Sequence, residues 1–365
     1  MEQIESLVPI VKRICQAELT DLSAELSSRT PHGNIRIAYV TESPWQLYES
    51  LIESSKILSE NSDIAACNNP LKGVYAGKTV ENPEFIALFP GQGSQFLNMG
   101  NKLSQAFPVV ENLYNAADES VKKYLPNGLK NIIECNYFVN EAERERKKAK
   151  LKITSNAQPA ITASSIAVLK LLNSLGLTPS IAIGHSLGEI SALHSTGAYD
   201  GITAVNIAAA RGQSITKLNG NSGMSALLSS PEKIHPLIDK VDGYLTIANY
   251  NAPEQTVISG DSSSLTELEK LCKTHDISFR RLKVSHAFHS KYMQPAVGAL
   301  EKSLKSFSFS KINKPMISSV SGCLLSSNEK IIPYFSDQLI QPVKFTNAVL
   351  TAQKKIGRAS CRERV

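Results

Sequence analysis

The feature that most constrains the fold is a glycine-flanked serine between an apolar run and a helical segment. Residues 181–183 form a strand candidate, the turn GHSLG follows at 184–188, and a helix candidate begins at Ile190. Such a strand–turn–helix unit lifts a serine hydroxyl clear of a sheet, because glycines on both sides let the backbone pass without a Cβ clash. The helix N-terminus favours developing negative charge. The sequence therefore predicts an α/β fold with Ser186 as a candidate nucleophile.

A second glycine-rich turn and a change of pattern predict how the α/β region is organised. IALF at 86–89 leads into PGQGSQ at 90–95, which again indicates a strand, a tight turn and a helix. Between 214 and 285 the order is strand, helix, strand, strand, helix, strand, which is the ferredoxin-like arrangement. We therefore expect an α/β-hydrolase-like large subdomain at 85–213 and 286–354, with a ferredoxin-like small subdomain inserted at 214–285.

The first 84 residues carry no chemical motif, and we interpret region 1–84 as linker-like. Apolar residues recur at helical spacing from Glu2 to about Ser27. A short strand is expected at 35–40, and Ser43-Pro44 is typical of the N-cap and first position of a helix that continues to about Ser59.

Composition excludes several classes of protein. With 365 residues, of which 42% are hydrophobic and 20% charged, the chain can fold on core packing alone. Its six cysteines form no CxxC pair and no histidine lies at metal spacing, so neither a disulfide framework nor a zinc site is indicated. We find no basic leader and no stretch approaching about 18 apolar residues, which predicts a cytoplasmic protein without a membrane span. The net charge of +6 is not gathered into one block, so we expect no nucleic-acid partner.

The C-terminal residues have an unusual origin. From Lys355 the chain reads KIGRASCRERV, and a back-translation of this segment matches a common sequencing-adapter oligonucleotide. We therefore expect 355–365 to be non-native.

A serine nucleophile needs a base, and the chain offers several histidines. They are His185, His194, His235, His275, His286 and His289. His185 adjoins Ser186, so its side chain should diverge from the hydroxyl. His286 and His289 lie where the chain leaves the inserted subdomain, which is a natural position for a cleft. A structural, hydrogen-bonded histidine is the alternative interpretation for either.

Several motifs occur in the order and at the spacing of one known family. They are FPGQGSQ at 89–95, QPAITA at 158–163, GHSLGE at 184–189, AARG at 209–212, HAFHS at 286–290 and QPVKF at 341–345. From residue 85 to about 354 the chain resembles the malonyl-CoA:acyl carrier protein transacylase family, in particular the acyltransferase domains of polyketide and polyunsaturated fatty-acid synthases. The region with RIAYV and GVYAG is similar to the linker between a ketosynthase and its acyltransferase. That likeness implies a ketosynthase and other synthase domains as partners.

The resemblance implies an activity and the residues that perform it. Ser186 is the expected nucleophile, His289 its general base, and the backbone amides of Gln92 and Leu187 the oxyanion hole. The reaction would be ping-pong, with malonyl-CoA as donor and the phosphopantetheine thiol of an acyl carrier protein as acceptor. The family calls for no metal and no permanently bound cofactor.

The resemblance also assigns substrate-binding positions. Arg211 is expected to hold the free malonyl carboxylate by a bidentate pair. His286 and Phe288 are expected to select the α-substituent, since HAFH accompanies malonyl in the family whereas methylmalonyl domains usually read YASH. Gln158 and Gln338 are candidate lining residues.

Two other functions remain open at this point. A thioesterase or esterase would use the same Ser186 turn, but it needs the order Ser, Asp or Glu, His and leaves Arg211 unexplained. The second alternative is an inactive, truncated docking fragment of a synthase, because the Gly-Pro-Gly strand region and last helix that the family has after Ala352 are absent.

Overall fold

The computed structural model describes residues 2–29, 33–61, 63–81, 83–136, 138–218, 220–284 and 286–356. The chain divides into two compact units, the first ending at Pro83 and the second beginning at Glu84. Of the segment expected to be non-native, Lys355 and Ile356 end the last helix, and 357–365 lies outside the described residues. Ser285, the expected end of the inserted subdomain, also lies outside them.

The first unit combines helices with a two-stranded sheet. Its elements are α1 (Glu2–Val11), α2 (Gln16–Ser28), β1 (Ile35–Tyr39), α3 (Pro44–Glu60) and β2 (Val74–Lys78), with β1 antiparallel to β2. The single helix expected from Glu2 to about Ser27 is two helices, because the Cys15 backbone is extended. The Cys15 amide donates to the carboxylate of Glu18, which lies in the first turn of α2. The predicted N-cap is confirmed, since Ser43 Oγ accepts from the Gln46 amide at 3.2 Å.

The second unit begins with a strand and a series of helices. Its elements up to residue 216 are β3 (Ile86–Phe89), α4 (Asn101–Ala106), α5 (Pro108–Ser120), α6 (Lys130–Ile133), α7 (Glu141–Lys152), α8 (Thr154–Ser174), β4 (Ile181–Gly184), α9 (Gly188–Ser195) and α10 (Gly201–Thr216). Helices α8 and α10 pack against each other over much of their length. Their buried side chains, including Ile166 and Ile207, form the centre of the largest hydrophobic core.

A four-stranded antiparallel sheet with two helices follows. The elements of this region are β5 (Ser222–Leu227), α11 (Pro231–Ile238), β6 (Leu245–Ala252), β7 (Gln255–Asp261), α12 (Ser262–Thr274) and β8 (Phe279–Arg281). The strand order is β6-β7-β5-β8, and each neighbouring pair is antiparallel. Ile258, Leu268 and Cys272 belong to a separate core that joins this sheet to its two helices. The six elements follow one another in the order expected from the sequence.

The last part of the chain returns to the first sheet of this unit. It contains α13 (Gln294–Leu304), β9 (Met316–Ile317), α14 (Ile331–Ile340) and α15 (Phe345–Ile356). Strand β9 pairs in parallel with β4, and β4 pairs in parallel with β3, so the sheet order is β3-β4-β9. All four residues of β4 are buried, as expected for a central parallel strand covered by helices on both faces. The α/β class predicted from the sequence is confirmed.

The register of this parallel sheet places the candidate site. Phe89 at the end of β3 is paired with Gly184 at the end of β4, so the turns that follow the two strands lie side by side. The His185 amide donates to the Phe89 carbonyl oxygen at 2.9 Å. The carboxyl ends of parallel strands are the usual place for a site in an α/β fold. Within the described part of the chain, no helix has the length and apolar character needed to cross a bilayer.

Candidate active site

The serine turn has the geometry that the sequence predicts. Ser186 has φ 50°, in the left-handed region that a residue other than glycine seldom adopts. A Cβ on Gly184 would lie 2.1 Å from the Glu189 amide nitrogen, and one on Gly188 would lie 2.0 Å from the Phe89 carbonyl oxygen. Both positions therefore require glycine, because the contacted atoms belong to rigid backbone. The tight packing holds the strained serine at the end of β4.

Ser186 is hydrogen-bonded to His289. The distance from Ser186 Oγ to His289 Nε2 is 2.7 Å, and His289 Nδ1 lies 2.8 Å from the Gln341 carbonyl oxygen. Because a carbonyl oxygen only accepts, we assign the ring proton to Nδ1, which leaves Nε2 free to take the serine proton. Among the described residues, no carboxylate contacts His289. The site is therefore a Ser-His pair whose histidine is oriented by backbone.

The environment of His289 keeps the imidazole neutral. Its side chain is buried. Burial lowers the pKa of His289 to about 3, and the Arg211 cation contributes in the same direction. A neutral imidazole is the form that can act as a base. The low pKa also means that protonation of this imidazole is costly.

Three of the other candidate histidines contact groups away from Ser186. His185 Nε2 lies 2.8 Å from Asn251 Oδ1, so its side chain diverges from the hydroxyl of Ser186 as expected. His194 Nδ1 contacts the Tyr199 carbonyl oxygen at 2.9 Å. His275 is exposed and contacts the carbonyl oxygen of Leu271 at 2.8 Å.

Arg211 is a buried cation connected to Ser186 through one glutamine. It lies on α10 with 2% of its surface exposed. Arg211 Nη2 donates to Gln338 Oε1 at 3.2 Å, and Gln338 Nε2 donates to the Ser186 carbonyl oxygen at 2.7 Å. Arg211 Nε has no partner among the described residues. Burial lowers the pKa of Arg211 to about 10, so the guanidinium is charged at neutral pH and has capacity to bind an anion.

The two candidate oxyanion donors lie in neighbouring turns. Among the described residues, neither the Gln92 amide nor the Leu187 amide donates to an acceptor. The Gln92 side chain is fixed from both ends, because its Nε2 donates to Thr154 Oγ1 and its Oε1 accepts from Gln158 Nε2, each at 3.3 Å. Gln158 is fully buried and supports the turn that carries Gln92.

The turn after β3 does not lead directly into a helix, which corrects the expectation from the sequence. The next helix, α4, begins only at Asn101. Positive φ values of 113° at Gly93, 64° at Asn98 and 80° at Gly100 interrupt right-handed helical geometry in between. The free amide of Gln92 therefore belongs to an isolated turn, whereas that of Leu187 precedes α9.

His286 and Phe288 are buried beside the histidine of the pair. Their ring centroids are 6.0 Å apart in an edge-to-face arrangement. His286 Nε2 lies 3.1 Å from the Leu218 carbonyl oxygen, and the Phe288 carbonyl oxygen accepts from Ser259 Oγ at 2.6 Å. These contacts fix the side chain of His286 and the backbone of Phe288, on either side of Ala287.

The sequence interpretation missed residues that act behind the site. Glu189 stands within GHSLGE but was given no role, although it is fully buried and accepts from the Ser319 amide and the Tyr334 hydroxyl. Gln341 orients His289 through its backbone carbonyl, which carries no side-chain signal. A charged residue directly after a nucleophile turn was the available signal for Glu189. The described residues contain no group of three or more His, Cys, Asp or Glu side chains placed to hold a metal ion.

Comparison with known proteins identifies the class to which this geometry belongs. The family model described as acyl transferase domain matches residues 86–361. The malonyl CoA-acyl carrier protein transacylase of Bacillus subtilis (strain 168) is 36% identical over 269 residues, which cover 72% of this chain and 80% of that protein. The chain therefore belongs to the acyl transferase domain family. It is an acyltransferase homologous to malonyl-CoA:acyl carrier protein transacylases.

Two further relatives extend the likeness. The highly reducing polyketide synthase valA of Aspergillus terreus is 31% identical over 360 residues, covering 93% of this chain but only 13% of that synthase. A solved malonyl-transacylase, in complex with the acyl-carrier protein of a type II polyketide synthase, is 30% identical with a TM-score of 0.66. That alignment covers 75% of this chain and 86% of the solved chain.

Proposed function

We propose that this chain transfers a malonyl group from malonyl-CoA to the phosphopantetheine thiol of an acyl carrier protein. The observation that carries the proposal is Arg211, a buried cation with an unpartnered Nε that one glutamine connects to the nucleophile. A dicarboxylic acyl group attached to Ser186 supplies an anion that can pair directly with this guanidinium. An acetyl group brings no carboxylate to the guanidinium and leaves its Nε unpartnered, so the site discriminates by loss of a polar contact.

The first half-reaction forms an acyl-serine. His289 Nε2 accepts the proton of Ser186 Oγ, and the oxygen attacks the thioester carbonyl of malonyl-CoA. The amides of Gln92 and Leu187 stabilise the tetrahedral oxyanion. The intermediate collapses as the carbon–sulfur bond breaks, and the CoA thiolate takes the proton from His289.

The second half-reaction regenerates the enzyme. The phosphopantetheine thiol gives its proton to His289 and attacks the ester carbonyl of malonyl-Ser186. The ester bond breaks, and the Ser186 oxygen recovers the proton. The two steps exchange one acyl group between two thiols with no change in oxidation state, so they require no permanently bound cofactor. The solved malonyl-transacylase in complex with an acyl-carrier protein supports this acceptor.

Charge coupling gives the malonyl carboxylate a second effect. The Arg211 cation lowers the pKa of His289, which penalises the imidazolium that both half-reactions require. A malonyl carboxylate paired with Arg211 offsets this charge and favours proton transfer to His289. Binding of the correct substrate therefore also improves the base.

We further propose that Phe288, packed against His286, favours an unsubstituted α-carbon. A methylmalonyl group carries one additional methyl, and a bulky aromatic side chain beside the acyl group would clash with it. One methyl is worth about 1–3 kcal/mol in an apolar pocket, so the result is a preference for malonyl and not complete exclusion.

The domain organisation predicted from the sequence is part of the same proposal. We propose a linker-like region at 1–84, a large α/β-hydrolase-like subdomain at 85–213 and 286–354, and a ferredoxin-like subdomain at 214–285. The sheet order β6-β7-β5-β8 supports the ferredoxin-like assignment, and the strand–turn–helix unit around Ser186 supports the hydrolase-like one. The polyketide synthase whose similarity extends over 93% of the chain supports neighbouring synthase domains as partners. The cytoplasmic location and the absence of a nucleic-acid partner stay predictions.

A serine hydrolase is the second candidate function, because the Ser186 turn is shared with thioesterases and esterases. The two candidates differ in the acceptor, since a hydrolase releases the acyl group to water. The hydrogen-bond partner of His289 Nδ1 is a backbone carbonyl and not the carboxylate that a hydrolase triad uses. This observation favours the transferase.

The test is intact-protein mass spectrometry after incubation with malonyl-CoA, acetyl-CoA and methylmalonyl-CoA separately. We expect a malonyl adduct on the unmodified chain and none on Ser186→Ala. Addition of a holo acyl carrier protein should move the malonyl group to the carrier, whereas a hydrolase would release free malonate. No adduct with any donor would contradict the proposed activity and leave the inactive docking fragment.

A further inference from the structure

A buried carboxylate lies directly behind the serine turn. Glu189 belongs to the first turn of α9 and has no exposed surface. Its Oε1 accepts a hydrogen bond from the Ser319 amide at 2.6 Å and another from the Tyr334 hydroxyl at 2.7 Å. Its Oε2 has no partner among the described residues. An uncompensated oxygen on a fully buried acid is costly, and no step of the mechanism above uses it.

Tyr334 connects this carboxylate to the helix that organises the site. Tyr334 and Gln338 are four residues apart on α14 and therefore share one face of it. Gln338 contacts both Arg211 and the Ser186 carbonyl oxygen. Directly after α14, the Gln341 carbonyl orients His289. The position of one helix thus sets the nucleophile, the base and the substrate cation, and Glu189 holds that helix through Tyr334.

Charge provides a second connection. Glu189 and Arg211 are both buried, and the negative charge of Glu189 favours the protonated guanidinium. The other titratable groups near Glu189 are Tyr199 and Tyr334, whose pKa values are raised well above 10, so both stay neutral. Among the described residues in this cluster, Arg211 is therefore the charge that Glu189 balances. The Arg211 cation in turn lowers the pKa of His289.

We propose that Glu189 is a positioning residue for acyl transfer. It holds α14 through Tyr334 and offsets the Arg211 charge beside His289. When Glu189 is neutral, formation of the His289 imidazolium costs more free energy. The substrate carboxylate then binds an Arg211 guanidinium whose charge is less neutralised. Ionised Glu189 therefore speeds the chemical step and weakens ground-state binding of malonyl. The inference rests on the proposed malonyl transfer, because it concerns the same site.

The decisive variant is Glu189→Gln, which keeps an acceptor oxygen and removes the charge. At pH 8 we expect kcat for malonyl transfer to fall about tenfold and KM for malonyl-CoA to fall about threefold. Acetyl transfer should show the loss in kcat without the change in KM, since acetyl carries no carboxylate. Burial raises the pKa of Glu189 to about 7, so at pH 6 the unmodified chain is itself largely neutral there and the difference should shrink to within about twofold.

A second variant and a matched control keep the test sharp. Tyr334→Phe keeps the Glu189 carboxylate and releases α14. Because loss of the hydroxyl also raises the pKa of Glu189, this variant is compared with the unmodified chain at about pH 9, where kcat should fall while KM for malonyl-CoA stays unchanged. Glu301→Gln removes a carboxylate that contacts Ser336 on the same helix, and its kinetics should stay within about twofold of the unmodified chain. A loss in Glu189→Gln that is equal at pH 6 and pH 8, or that raises KM, would indicate a merely structural role and overturn the inference.

The malonyl adduct separates this inference from the proposed function. If the unmodified chain forms the adduct and Glu189→Gln has unchanged kinetics at both pH values, the inference fails and malonyl transfer stands. If the unmodified chain forms no adduct, the proposed function fails and the inference fails with it. Folding of each variant is checked by its thermal unfolding before kinetics are compared.

Discussion

Ser186 and His289 lie 103 residues apart in the chain, yet both have left-handed backbone and their reacting atoms are 2.7 Å apart. Their φ values are 50° and 56°, and residues other than glycine adopt this region at a cost of order 1 kcal/mol each. The packing around Gly188 and the hydrogen bond from Gln338 hold the serine, and the Gln341 carbonyl holds the histidine. The pair is thus aligned by the fold before a substrate arrives.

Replacing Gly188 by alanine should disrupt this alignment. The new Cβ would lie 2.0 Å from the Phe89 carbonyl oxygen, which belongs to the parallel sheet and has no room to move. We expect Gly188→Ala to reduce the free energy of unfolding by about 3 kcal/mol, at the upper end for overpacking, and to slow acylation of Ser186 at least tenfold. Urea unfolding and the rate of adduct formation measure the two effects.

Gly298→Ala is the matched control for that substitution. Gly298 lies inside α13, and a Cβ there would have no atom within 4 Å. The change should therefore stabilise the chain by about 0.5–1 kcal/mol and leave acylation unaltered. Equal effects of the two substitutions would contradict the close approach of α9 to β3.

Removing Arg211 should narrow the preference for malonyl over acetyl. Arg211→Ala deletes the cation that we propose binds the substrate carboxylate, and we expect a loss of roughly 2–5 kcal/mol in transition-state stabilisation for malonyl transfer. The pKa of His289 should rise, because the neighbouring charge that lowers it most is removed, and the acidic limb of acetyl transfer should move to higher pH. Rates of adduct formation from both donors across pH test this.

The control is Arg281→Ala. Arg281 lies on β8 of the antiparallel sheet and forms an ion pair with Glu269 on α12. An unchanged malonyl-to-acetyl ratio in Arg211→Ala would refute the assignment.

Shortening Phe288 should admit the α-methyl group. On the proposed role of Phe288, Phe288→Ala opens space beside the acyl carbon, so the ratio of methylmalonyl to malonyl transfer should rise about 10- to 100-fold. The substitution also leaves a cavity and costs about 3–5 kcal/mol of stability. Phe309→Ala is a control for that cost, since Phe309 packs edge-to-face on Tyr199. The same increase in Phe309→Ala would show that loosening of the core, and not Phe288 itself, changes the ratio.

Local patterns predicted the parts of the fold that local physics decides. The Ser43 cap, the strand before Ser186 and the order of the elements between 214 and 285 each depend on residues close in sequence. Local patterns were wrong in two places. Helical spacing continues across the extended residue Cys15, so it predicted one N-terminal helix where the structure has two. The pattern after Gln92 predicted a helix where positive φ values produce only turns.

The candidate site was predicted unevenly for a related reason. Motifs mark side chains that do chemistry, and the structure brings Ser186, His289 and Arg211 to one place. Groups that act through backbone or through long-range packing leave no local pattern. The Gln341 carbonyl contacts His289, which is 52 residues away in the chain, and the Tyr334 hydroxyl donates to Glu189, which is 145 residues away. Such partners emerge only from the fold.

Glu189 should make the stability of the chain depend on pH in a direction unusual for an acid. Burial raises the pKa of Glu189 from 4.5 to about 7, so between these values the folded chain binds a proton that the unfolded chain has lost. The contribution is complete below about pH 4.5 and is lost as pH rises through about 7, for a total of at most roughly 3 kcal/mol. Glu189→Gln lacks this loss, so its free energy of unfolding relative to the unmodified chain should increase between pH 5 and pH 8. His289, whose pKa is lowered, causes the opposite trend as pH falls below about 6.5, but it is present in both chains and cancels in the difference.

Tyr334→Phe should move the pH-dependent loss of stability to higher pH. The Tyr334 hydroxyl donates to the Glu189 carboxylate and lowers the pKa of Glu189, so its removal should raise that pKa further. The pH-dependent loss of stability then extends above pH 7, whereas in Glu189→Gln it disappears. Urea unfolding of the three chains at pH 5, 6, 7 and 8 separates these outcomes. Parallel stability profiles for all three would mean that Glu189 does not titrate with a raised pKa, and that the fold tolerates its buried charge by contacts other than the Tyr334 hydroxyl.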